Sequence, residues 1–62
     1  MQPPTYREII QRLLNEGFVE RRSHGDHRRF VKDGRKVTVR DQGGRHPGWK
    51  EWASIRVQAG WK

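Results

Sequence analysis

His27-Arg28-Arg29-Phe30-Val31-Lys32-Asp33-Gly34-Arg35-Lys36-Val37-Thr38-Val39-Arg40 is the stretch that decides the fold. Its middle, Asp33-Gly34, is a pair that two-residue type I′ turns favour, because both central residues there need positive φ. The flanking runs, His27 to Lys32 and Arg35 to Arg40, are predicted as antiparallel strands. The turn sets the register: Lys32 opposite Arg35, Phe30 opposite Val37, Arg28 opposite Val39. Side chains alternate between the two faces of a strand. Phe30, Val37 and Val39 therefore share a face that must be buried. His27, Arg29, Val31, Lys36, Thr38 and Arg40 share the other, a basic surface with a histidine at its end. Arg28 falls on the core side by this count and is expected to reach out past the strand end on its long stem.

Upstream, Thr5 and Glu8 fit the T-x-x-E capping box. Tyr6, Ile9, Ile10, Leu13 and Leu14 follow at helical spacing, and Gly17 is a natural stop. These signals predict a helix over Thr5 to Glu16. Phe18 to Arg22 reads as a short strand and Ser23 to Asp26 as a turn. Downstream, Asp41 to Gly48 holds three glycines and a proline, which predicts a loop. A second helix is expected over Trp49 to Ala59, with Trp52, Ile55 and Ala59 on one side and Gly60 as its stop. The order is α-β-β-β-α. A three-stranded antiparallel sheet with both helices on one face uses every apolar stripe. This α+β arrangement is a compact double-stranded-RNA-binding-like fold, and it leaves the second sheet face open.

The 62 residues make a single domain, with 31% hydrophobic residues and no cysteine. Mean hydropathy is −1.19. So lean a core predicts stability near the low end of the usual range of about 5–15 kcal/mol. A secreted domain this small would ordinarily carry disulfides, so an intracellular, cytoplasmic protein is expected. No stretch approaches the roughly 20 apolar residues of a membrane span, and the N-terminus lacks a signal-peptide pattern. Fourteen Lys and Arg against seven Asp and Glu give a net charge of +7. Arginine predominates, and its planar fork suits phosphate. The charge points to a polyanionic partner, nucleic acid above all.

Several short motifs in one order carry a resemblance. They are Gly17-Phe18-Val19, Gly25-Asp26-His27 with Phe30 behind it, Val37-Thr38-Val39, Pro47-Gly48 before the last helix, and Gln58-Ala59-Gly60-Trp61. Over nearly its whole length the chain resembles HicA toxins of bacterial type II toxin–antitoxin modules. The resemblance implies a ribosome-independent mRNA endoribonuclease, silenced by a HicB antitoxin. The family's catalytic histidine follows Gly-Ser, which carries over onto His27. Asp26 stands where the family has serine, Arg28 where a histidine often follows, and Arg40 and Asp41 where many members have Pro and then His.

Cutting RNA needs no cofactor, because the 2′-hydroxyl is itself a nucleophile. A base must take its proton, cations must hold the phosphate, and the leaving 5′-oxygen needs help. Imidazole, with an ordinary pKa near ~6.5, suits the first task. The residues expected to contact RNA are Arg28, Arg29, Lys36, Arg40 and Arg45, with His24 and Asp26 as assisting residues. Asp26 is either an orienter of the imidazole or simply a turn residue. His46 reads as a loop residue. A zinc set of His24, His27 and His46 lacks closely paired ligands, so no metal is expected. Trp52 reads as core; Trp49 and Trp61 are open between base stacking and anchoring an antitoxin. The free chain is expected to be monomeric and to form a hetero-oligomer with its antitoxin. The alternatives are a non-catalytic RNA-binding module of the same fold and a small DNA-binding protein. The second helix, with only Lys50 and Arg56 as cations, is poor in groove-reading side chains.

Overall fold

The computed structural model describes residues 1–61; Lys62 and the side chains of Arg22 and Ser23 lie outside the described residues. Helix α1 spans Tyr6–Asn15 and opens on its capping box. The Thr5 hydroxyl accepts from the Glu8 N–H at 3.1 Å, and the Thr5 N–H donates to Glu8 Oε1 at 2.8 Å. The free N–H groups of Tyr6 and Arg7 donate to the carbonyls of Arg45 and Gly43 at 2.9 and 3.0 Å. The first turn thus has partners for donors that a helix start leaves orphaned. At the other end the Phe18 N–H reaches the Leu13 carbonyl at 3.0 Å and the Gly17 N–H that of Leu14 at 3.1 Å. That is the double bond pattern of a Schellman stop.

Strands β1 (Val19–His24), β2 (His27–Lys32) and β3 (Arg35–Arg40) form one antiparallel sheet in the order β1-β2-β3. The β2–β3 register is the expected one, pairing Lys32 with Arg35, Phe30 with Val37 and Arg28 with Val39. Asp33 and Gly34 have φ of 48° and 82°, as a type I′ turn requires. β1 differs from expectation. It begins and ends later than Phe18 to Arg22, and the turn shrinks to Gly25-Asp26. The register shifts between Arg21 and His24, so that His24 pairs with His27. A bulge adds length to one strand without a matching residue on its neighbour, which is how His24 enters the sheet.

Helix α2 spans Trp49–Ala59. Gly60 ends it in the left-handed region at φ 78°. A Cβ there would stand 2.6 Å from Arg35 Cζ. Both helices cover one face of the sheet. Phe30, Val37 and Val39 meet Tyr6, Ile9, Ile10 and Leu13 from α1, Phe18, and Ile55 and Ala59 from α2. Trp52 packs against the edge of this core, half-buried. Leu14 belongs to the expected stripe but is 44% exposed. Among the described residues no helix is long and apolar enough to cross a membrane.

Polar braces hold the periphery. Arg28 lies on the helix side of the sheet but is held there rather than running out past the strand end. It donates to both Glu20 oxygens at 2.6 and 2.7 Å and to Asp41 at 3.0 Å. These bonds, Glu20's above all, raise its pKa and keep it charged. His46 Nδ1 lies 2.6 Å from the Pro3 carbonyl, tying the loop to the N-terminus. The Trp61 indole N–H donates to Glu16 at 2.7 Å, and Arg12 stacks 3.9 Å above the Trp61 ring while donating to the same carboxylate.

The Trp61 bond, then the Arg12 bond, holds the Glu16 carboxyl below its usual range. The Thr5 backbone N–H does the same for Glu8. A carboxyl with a depressed folded pKa stabilises above its unfolded pKa and loses that contribution as pH falls through the folded value. The melting midpoint is therefore expected to drop on acidification below about pH 4. Glu16→Gln should lower the midpoint at neutral pH and shrink the acid drop. A variant with the full wild-type acid drop would mean that Glu16 contributes nothing to it.

Candidate functional site

The sheet face turned away from the helices carries three cross-strand rows. Paired residues in an antiparallel sheet put their side chains on the same face. His24 pairs with His27, and His27 with Arg40; the next row is Arg21, Arg29 and Thr38; the third is Val19, Val31 and Lys36. Neighbouring rows on one face stand about 7 Å apart along the strand. The face therefore presents two imidazoles at one end and cations along its length. His24, His27, Arg29, Lys36 and Arg40 are all exposed.

His27 opens β2 directly after the Gly25-Asp26 turn. The turn is pinned from the neighbouring strand end, where the Asp41 N–H donates to the Asp26 carbonyl at 2.7 Å. Asp26 Oδ1 lies 3.4 Å from His27 Nδ1, both side chains about half open to solvent. This spacing is longer than a good hydrogen bond. Directly opposed residues have Cα atoms about 4.5–5.5 Å apart. His24 therefore starts within one side-chain length of His27.

The expected site residues divide. Arg29 and Lys36 share the open face with His27. Arg40 starts there, but its guanidinium reaches the free edge of β3, 3.7 Å from Glu51 Oε1. That same oxygen accepts the Tyr6 hydroxyl at 2.7 Å. Burial first, and then this bond, raises the Tyr6 pKa, so the phenol stays a donor. Arg28 is on the helix side between its two carboxylates. Arg45 is exposed, with its backbone held against the first turn of α1. These two are not brought to the His27 face. Arg21 was not among the expected contacts; it faces the site because it pairs with Arg29. Counting β1 back from the hairpin reveals it once the pairing is known. Among the described residues, no group of three or more His, Asp and Glu side chains could hold a metal ion.

Residues 6–61 match the family model described as the HicA toxin of bacterial toxin–antitoxin systems. No curated protein matches the chain.

Proposed function

The chain belongs to the HicA toxin family of bacterial toxin–antitoxin systems, and on that premise we propose that it cuts mRNA on its open sheet face with His27 as the base. The observation that carries this reading is the row His24–His27–Arg40 at one end of a basic surface. His27 Nε2 takes the proton of a 2′-hydroxyl. The freed oxygen attacks the adjacent phosphorus in line, and the bond to the 5′-oxygen breaks. The products are a 2′,3′-cyclic phosphate and a 5′-hydroxyl end. The leaving oxygen needs a proton, and in this reading His24 in its protonated form gives one. Asp26 keeps the His27 ring turned for its task. Arg29, Lys36 and, from the edge, Arg40 hold the phosphates, stabilising charge as it builds on the transferring group. Arg28 acts as a brace, and Arg45 stands outside the phosphate clamp. Both proton transfers are supplied by side chains, so the reaction proceeds without a metal ion.

A free ribonuclease would damage its own cell, which calls for a HicB-type antitoxin in the same cytoplasm. An acidic antitoxin would associate quickly with a surface of this charge.

Induced expression in a bacterial host, wild type against His27→Ala, tests the function. Wild type should stop growth and fragment mRNA, and His27→Ala should do neither. Harmlessness of both would leave an RNA-binding module; equal toxicity would remove His27 from the mechanism. Phosphate contacts make RNA binding fall with salt. Lys36→Ala should weaken binding across all RNA sequences and reduce the salt slope by about one charge. An unchanged slope, read by titration of labelled RNA at several salt concentrations, would place the RNA elsewhere.

A further inference from the structure

Helix α2 is apolar on two sides. One side, Ile55 and Ala59 with half-buried Trp52, packs on the core. The other carries Trp49, Ala53 and Val57, four residues apart and so stacked along one stripe. Trp49 is 60% and Val57 77% exposed, among the largest open apolar surfaces of the chain. From Trp49 to Val57 the stripe runs about 12 Å along the axis. It lies on the helix layer, away from the sheet face that carries His27. Nothing in the folding of this chain requires it, since Gln58 and Glu51 already tie α2 to β3.

We propose that the Trp49–Ala53–Val57 stripe is the docking surface of an acidic protein partner, the antitoxin of the module. This rests on the toxin reading given above. A second copy of the chain is a poor occupant, because two chains of net charge +7 repel. RNA is a poor occupant too. The stripe has no cation of its own and only one ring to stack on a base. An exposed Trp with small apolar neighbours, flanked by Lys50 and Arg56, is the build of an interface hot spot that a partner would bury within a charged rim. The rim selects acidic partners. The molecule then has two working sides: RNA on the sheet, the partner's grip on α2.

The test is titration of an antitoxin that neutralises this toxin in the cell against full-length toxin carrying His27→Ala, which keeps the host alive. Trp49→Ala and Val57→Asp are each added, and each is also placed in the otherwise wild-type toxin to measure RNA cleavage. Both side chains are largely exposed, so melting midpoints should stay near the parent's. The expected result is a complex weakened at least ~10-fold by either change, with RNA cleavage at the wild-type rate. Such a toxin should escape its antitoxin in the cell. Wild-type affinity in both variants overturns the proposal. So does a loss of RNA binding with the complex intact, which would make the stripe an RNA platform, or a shift from dimer to monomer, which would make it a self-contact. If the parent itself binds no antitoxin, the partner reading fails with it, whereas failure confined to the variants removes this surface alone.

Discussion

His27→Ala should lower the rate of RNA cleavage by about 10²–10⁴-fold, the usual worth of a positioned general base. RNA affinity should change little, because Arg29 and Lys36 remain on the face. His27 is exposed at the start of β2, so its removal leaves no cavity and the melting midpoint should hold. His24→Ala should also slow cleavage while sparing binding, through the leaving group rather than the nucleophile. Its rate should recover with a substrate whose leaving 5′-oxygen is replaced by sulfur, since a thiolate departs without a proton. No such recovery is expected for His27→Ala. Rates unchanged by His27→Ala in purified protein would end the assignment.

Phe30→Ala should unfold the chain or come close to it. Phe30 is fully buried at the centre of the sheet, opposite Val37 and Glu20. Truncating a buried Phe costs about 3–5 kcal/mol. A 62-residue domain has roughly that much to lose. Chemical denaturation followed by circular dichroism should show a collapsed or missing native baseline. A cooperative transition near the wild-type midpoint would contradict the central place given to Phe30. The variant should also lose RNA binding, which separates it from His27→Ala. A bound partner should recover part of the fold by mass action.

The β2–β3 hairpin could be read from sequence because one dipeptide, Asp33-Gly34, dictates turn geometry and so the register of twelve paired residues. The helix ends were equally open to reading, since Thr5, Glu8, Gly17 and Gly60 act through local backbone chemistry. β1 resisted for a physical reason. A bulge has no compositional signature, and the shift between Arg21 and His24 moves every later side chain. The pairing of His24 with His27, and the place of Arg21 on the site, follow only from that shift. Arg28 and Arg40 show a second limit. The strand count gave their faces correctly, but Glu20, Asp41 and Glu51 decide where their guanidinium groups rest. Those partners come from other elements and reveal themselves only once the chain is folded. In α2 only the buried side, Trp52, Ile55 and Ala59, was read from sequence; the exposure of Trp49 and Val57 depends on which side the sheet claims.

End-group analysis of a single synthetic RNA shows whether the 2′-oxygen, activated by His27, is the nucleophile. The RNA is cut by purified protein in the presence of a strong chelator, and the termini are identified by mass spectrometry. Attack by the 2′-oxygen under His27 predicts a 2′,3′-cyclic phosphate and a 5′-hydroxyl, with no cut at a position carrying a 2′-deoxy sugar. A 5′-phosphate with a free 3′-hydroxyl, or cleavage that ignores the 2′-hydroxyl, would contradict it.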